Sequence, residues 1–223
     1  MLPLRLAKPA KAPIRILCLG AHSDDIEIGC GGTILSLSER FPDCKFHWVV
    51  FSAAGVRAHE ARRGALLFGG PSAGKQLMVK RFKDGFFPYR GAEVKAVFEG
   101  LKKSVCPDLI FTHNRKDAHQ DHRTLAQLTW NTFRDHLILE YEIPKYDGDL
   151  GNPSVFVPLT AEVCEKKVDG ILDTFQSQKA KQWFQRETFL SLMRLRGMEC
   201  NATSGYAEAF YCRKAVLDLK GRL

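Results

Sequence analysis

Two short stretches hold most of the side chains able to do chemistry: Ala21-His22-Ser23-Asp24-Asp25 and Thr112-His113-Asn114-Arg115-Lys116-Asp117-Ala118-His119-Gln120-Asp121-His122. Of the seven histidines in the chain, His22, His119 and His122 lie in these clusters and His113 begins the second. Two imidazoles and a carboxylate suit a borderline divalent cation such as Zn²⁺, and three protein ligands leave a coordination position for water, as a hydrolytic site requires. Such an ion lowers the pKa of its water toward ~7, and a nearby carboxylate that is not a ligand can take the proton. Asp24 and Asp25 are adjacent and cannot easily point the same way, which suits one ligand beside one base. A histidine left over from coordination can stabilise a developing oxyanion or protonate a departing amine.

The elements that must position these clusters are legible as apolar runs. Ile14 to Gly20 is short, nearly all apolar and bounded by Pro13 and Gly20, so it reads as a buried parallel strand with the first cluster at its carboxyl end. A second strand covers 46–51, a short third one 76–79, and a fourth, 108–111, is introduced by Pro107 and carries the second cluster at its end. Gly29, Gly31 and Gly32 are expected to open a helix that stops at Phe41-Pro42. Further helices are expected over 57–68, ending at Gly69-Gly70, and over 93–103. From Arg123 onward, Ala126, Trp130, Phe133 and Leu137 fall on one helical face. The alternation predicts an α/β fold: a Rossmann-like, doubly wound, mostly parallel sheet with helices on both faces. With strand order 3-2-1-4, the first and fourth strands are neighbours, and the two clusters face each other across the topological switch point. Beyond this come an expected strand at 137–143, a Gly/Pro/Asp-rich loop at 146–158, helices through Cys164–Phe175 and over 179–196, and a closing strand at 208–213. Residues 1–13, with Pro3, Pro9 and Pro13, read as an extended lead-in. The lack of repeats or a low-complexity linker predicts one domain over 1–223, with the C-terminal extension packed on it.

The totals narrow the class. A net charge of +8 favours an anionic partner, but the basic residues are scattered and form no basic arm, which argues against nucleic acid. Seven cysteines without a C-x-x-C pair argue against both a disulfide framework and a thiolate zinc site, and point to a reducing, cytoplasmic setting. Charges at Arg5, Lys8, Lys11 and Arg15 break up any signal-peptide core, and no apolar run approaches the ~20 residues of a membrane span.

The stretch AHSDD with the following GCGGT, together with HQDH, resembles the PIG-L/LmbE-like zinc-dependent N-deacetylases, which remove acetyl groups from N-acetylglucosamine-containing compounds. Arg57 and Glu60 leading into an Ala-rich helix that ends at Phe68-Gly69, and Ala207-Glu208-Ala209-Phe210 near the C-terminus, extend the likeness. The resemblance implies His22, Asp25 and His122 as ligands of Zn²⁺, with Fe²⁺ or another divalent ion in its place as the alternative. It implies Asp24 as general base, His119 as the group that stabilises the tetrahedral intermediate and helps the amine leave, and Asp121 as the residue tuning the orientation and charge of His119. Arg57 and Glu208 become substrate contacts, and the substrate a small acetylated amino-sugar conjugate. One departure is visible: the family's first motif usually has proline where Ser23 stands, so the stiffness of that turn is reduced while no chemical group is lost.

Each residue alone has an ordinary explanation. An aspartate between strand and helix is commonly an N-cap, and a lone histidine is commonly a satisfied surface or core group. The conjunction of both clusters at adjoining strand ends carries the metal assignment. The competing class is a Rossmann-like nucleotide- or S-adenosylmethionine-binding protein without hydrolase activity, its glycines cradling phosphate. Against it, the glycines lack G-x-G-x-x-G spacing and the acidic pair would repel a pyrophosphate; close packing of helix on strand accounts for them better. Cys30 as a nucleophile is unnecessary beside a metal-water mechanism.

Overall fold

A computed structural model describes residues 3–6 and 12–217. Its strands are β1 (Arg15–His22), β2 (Lys45–Ser52), β3 (Leu77–Val79), β4 (Leu109–His113), β5 (Leu137–Tyr141), β6 (Val155–Leu159) and β7 (Tyr206–Tyr211), in one sheet of order β3-β2-β1-β4-β5-β7-β6. Pairings from β3 to β5 are parallel, and β7 runs antiparallel to both β5 and β6. The helices are α1 (Asp25–Arg40), α2 (Val56–Lys75), α3 (Gly91–Ser104), α4 (Gln120–Thr132), α5 (Ala161–Thr174) and α6 (Arg186–Glu199). Alternate residues of β1 point to opposite layers: Ile16 and Cys18 join Ile26, Phe68, Val168 and Phe175 on one face, while Leu17 and Leu19 join Val94, Phe98 and Leu125 on the other. Burial on both faces is why this strand reads as a continuous apolar run.

The first four strands take the expected order, so the carboxyl ends of β1 and β4 lie side by side at the switch point. Several boundaries differ from the sequence reading. The glycines do not open α1, which begins at Asp25 and passes through them. They are instead where the helix comes closest to its neighbours: a Cβ on Gly29 would lie 2.2 Å from Tyr141 Cδ2, and one on Gly32 would lie 2.5 Å from Leu159 Cδ1. α2 continues past Gly69-Gly70 to Lys75, bending where Gly70 takes φ +64° ahead of Pro71. α4 stops at Thr132, where the Phe133 N–H closes the last turn on Thr129 O, so Leu137 belongs to β5. The expected loop at 146–158 contains most of β6, and α6 starts at Arg186 after a run of turns. Most of the expected lead-in, residues 1–2 and 7–11, lies outside the described residues; residues 3–6 carry no regular secondary structure.

α1 is broken at Cys30 (φ −145°, ψ 18°), which strips helical partners from nearby backbone groups. A buried ion pair from distant elements replaces them. Glu208 accepts from Gly32 N–H at 2.8 Å and Thr33 N–H at 2.7 Å, while Lys167 Nζ donates to Ile28 O at 2.7 Å and to Glu208 Oε1 at 2.7 Å. Both side chains are under 5% exposed. Lys167→Met would leave the Glu208 carboxylate buried without its cation, so a destabilisation of about 3–5 kcal/mol is expected. Denaturant unfolding measures it, and a loss below about 1 kcal/mol would show that the pair is not what holds the break.

Candidate active site

The ends of β1 and β4, with the first turns of α1 and α4, bring His22, Asp25 and His122 together although up to 100 residues separate them. His22 Nδ1 lies 3.2 Å from His122 Nε2 and 3.4 Å from Asp25 Oδ2, and His122 Nε2 lies 3.6 Å from Asp25 Oδ1. All three are buried. Nitrogen and oxygen donors held 2.0–2.1 Å from one tetrahedral ion stand about 3.3 Å apart. The observed separations, measured to the two oxygens of Asp25, are of that order, and the groups whose donor atoms lie close enough to share a cation are His22 with His119 and His122, Asp25 with His113 and His122, and His22 with Asp84 and Asp121. Asp25 is held well below the usual carboxylate range: burial acts to raise it, but His122, His113 and His22 around it outweigh that. Burial, reinforced by His113, pushes His122 down to about 4, whereas His22, against its burial, is held well above the usual imidazole range by Asp25, Asp121 and Asp84.

A second layer fixes these groups. His122 Nδ1 is 2.9 Å from Asp117 Oδ2, a carboxylate–imidazole contact of the kind that sets ring orientation and tautomer in metal sites. The other Asp117 oxygen accepts from His119 N–H at 2.8 Å and lies 3.2 Å from Lys145 Nζ, and Lys145 is also paired with Asp149, which accepts from Ala118 N–H. His113, fully buried, stacks on His122 with ring centroids 3.9 Å apart and sets Nε2 3.2 Å from Asp25 Oδ2.

Asp24 occupies the N-cap position of α1, yet its side chain makes no capping hydrogen bond, so the ordinary explanation for an aspartate there fails. Its Oδ1 lies 3.7 Å from Arg57 Nη2, and burial followed by repulsion from Asp25 raises its pKa to about 6. Arg57 also donates through Nε to Ser23 Oγ at 3.2 Å, an acceptor that proline would not provide, and through Nη1 to Asp84 Oδ2 at 3.2 Å. His119 is half-buried, its ring centroid 5.0 Å from that of His22 and 4.6 Å from that of His122. Its Nδ1 accepts from Asp121 N–H at 3.3 Å, which leaves the proton of the neutral ring on Nε2.

Two expected roles need correction. The Asp121 carboxylate does not bond His119: it accepts from Gly85 N–H at 2.7 Å and Phe87 N–H at 3.0 Å, and its Oδ2 lies 3.4 Å from His22 Nε2. Its backbone N–H orients His119, while its carboxylate bears on that ring's charge, opposing the burial and the His22 charge that lower the His119 pKa. Glu208 does not contact the cluster through any observed bond; both of its oxygens are occupied at the break in α1, which accounts for it without a substrate.

The residue missed in the sequence is Asp84. The loop pinned by Asp121 swings it over the site, Oδ1 3.0 Å from His22 Nε2, and leaves Phe86 and Tyr89 exposed beside it. No local signal marked it, because its placement depends on backbone amides bonding a carboxylate 34 and 36 positions away. Asp117 and His113 stood within the second cluster, but nothing there separated them from loop residues. The glycines, filled against Tyr141 and Leu159, form no phosphate cradle, so the nucleotide-binding alternative has no site there.

Comparison with known proteins places the chain in a family. The family described as PIG-L, GlcNAc-PI de-N-acetylase, matches residues 17–133, which is over half of the chain and contains both clusters. An uncharacterized deacetylase of Escherichia coli (strain K12), YaiS, is 28% identical over 139 residues, covering 58% of this chain and 74% of that protein. Two solved structures share the fold. The N,N'-diacetylchitobiose deacetylase of Pyrococcus horikoshii has a TM-score of 0.71 at 20% identity, over 92% of this chain and 85% of that one. GalB, the 4-carboxy-2-hydroxymuconate hydratase of Pseudomonas putida KT2440, has a TM-score of 0.70 at 19% identity, over 92% and 98%. Among the described residues no helix is long and apolar enough to cross a membrane.

Proposed function

Because the chain belongs to the PIG-L family of de-N-acetylases, we propose that it is a metal-dependent hydrolase that removes the acetyl group from an N-acetylated amino-sugar conjugate. The observation carrying this reading is the convergence of His22, Asp25 and His122 to mutual distances of 3.2–3.6 Å beside an aspartate that neither caps a helix nor belongs to that triad. These three residues would hold the ion, zinc or iron(II) by donor type. Bound there, such an ion polarises the amide carbonyl and makes water a competent nucleophile near neutral pH.

The remaining work falls to the chain itself. Asp24 accepts the proton of the attacking water and, with its pKa raised to about 6, returns it to the amide nitrogen as the C–N bond breaks, releasing acetate and the free amine. His119 donates from Nε2 to the oxyanion that develops on the carbonyl oxygen. Arg57 and Asp84, paired at the rim, suit the hydroxyl groups of a sugar, and exposed Phe86 and Tyr89 offer apolar surface to the rest of the conjugate. The net charge of +8 favours an anionic substrate.

Acetate release measured over a panel of N-acetylglucosamine conjugates, with metal-loaded and chelator-treated enzyme side by side, tests the reading. Release from at least one conjugate, abolished by chelation and restored by metal, is expected; protein that binds metal stoichiometrically yet releases acetate from none would refute it. The same reading makes Asp117 a tuning residue. Asp117→Asn is expected to weaken metal binding about 10–100-fold, measured by competition with a chromophoric chelator; unchanged affinity would show that its contact with His122 is incidental.

A further inference from the structure

An open cleft of about 440 Å³, which shares Arg115 with the second cluster but none of the residues assigned to the hydrolytic centre, is lined by Arg115, Gln127, Trp130, Asn131, Arg134, Arg213 and Lys214. Four cationic side chains converge there, from the loop after β4, the end of α4 and the segment after β7. Three lie over the Trp130 ring: the Arg213 guanidinium at 4.8 Å from its centroid, Lys214 Nζ at 5.9 Å and the Arg115 guanidinium at 6.0 Å. Among the described residues, Glu140 is the one carboxylate in contact with any of the four, through Arg115 Nε at 3.6 Å. Glu140 is itself buried and already accepts from Trp130 Nε1 and from Arg115 N–H. Lys214 Nζ donates to Arg134 O and Arg134 Nε to Asn131 O, so backbone carbonyls rather than anions receive these donors, while Arg213 forms no ion pair within the described residues.

Like charges gathered around one ring repel one another, and water and salt screen that repulsion only in part. A planar guanidinium fork prefers a bidentate oxyanion, and here two forks without a carboxylate partner among the described residues, those of Arg134 and Arg213, face the same cleft as an ammonium group and the amides of Gln127 and Asn131. We propose that this cleft is a binding site for a phosphate group, either free or borne by a small metabolite, separate from the hydrolytic centre. The volume admits more than the phosphate alone, and the amides supply donors and acceptors for hydroxyl groups next to it. This inference does not rest on the hydrolase reading.

Trp130 reports on the site directly, since the cations lying over its ring must reorient toward a bound anion. Titration of inorganic phosphate and of glucose 6-phosphate, with glucose and sodium chloride as controls at constant ionic strength, is expected to give a saturable change in tryptophan fluorescence that Trp130→Phe removes. Tighter binding of the sugar phosphate would identify a metabolite as the occupant, and equal binding would identify the free anion. Arg213→Gln and Arg134→Gln, singly and together, are expected to weaken binding at least tenfold while the thermal midpoint stays that of the parent. Should the double variant fail to fold, the singles decide. A response that chloride reproduces, that does not saturate, or that persists undiminished in the folded variants would overturn the proposal.

Discussion

Asp24→Asn is expected to reduce kcat by about 10²–10⁴-fold while the protein still takes up one equivalent of metal. Asparagine keeps the size of the side chain and can still face Arg57, which approaches Asp24 Oδ1 at 3.7 Å, but it cannot accept a proton from water. The substitution also removes a negative charge beside Asp25, whose repulsion is the second-largest cause of the raised Asp24 pKa, so it adds no new charge next to the proposed ligand carboxylate. No capping bond is lost, because the Asp24 side chain forms none, and the thermal midpoint should therefore stay close to that of the parent. Steady-state kinetics and metal analysis on the same preparation separate the outcomes. Retained turnover with metal bound would remove Asp24 from the chemistry, whereas loss of metal would make it a ligand instead.

His122→Ala should abolish stoichiometric metal binding. Loss of a contact behind a ligand typically costs 10–100-fold in affinity, and here the proposed ligand itself goes, together with the ring that stacks on His113 and anchors to Asp117. The most direct measurement is the stabilisation that metal confers. A ligand present at 100 times its Kd raises the unfolding free energy by about 2.7 kcal/mol, so the parent protein should melt at a higher temperature with metal than with chelator, and the variant should show no difference. A variant that still gains stability from metal and retains one equivalent through dialysis would move the site to the neighbouring His22, Asp84 and Asp121.

The two corrected residues show where local reasoning stops. Glu208 lies in a stretch that resembles the family's tail, but its partners are Gly32, Thr33 and Lys167, and the need for it arises from a helix break 178 positions earlier. Asp121 sits two residues from His119, near enough in sequence to suggest a pair. Capping geometry instead turns the backbone N–H toward the ring and the carboxylate toward Gly85 and Phe87. β6 was hidden for a related reason: Pro158 lacks an amide hydrogen and breaks a strand-like run, yet at the sheet edge, with β7 as its only neighbour, that loss is tolerated.

What the amino-acid sequence determined by itself was the parallel core, the order of its first four strands and the meeting of the two clusters. Burial of β1 and β4 on both faces writes itself into the chain as unbroken apolar runs, and crossover topology then leaves little choice of neighbour. Only the tertiary structure decided which carboxylates face the cluster and which serve the scaffold, because Asp84, Asp117, Asp121, Lys145 and Glu208 take their partners from separate segments. A side chain's type is a local property, but its partner is supplied by whatever backbone or charge the rest of the fold brings within about 3 Å of it.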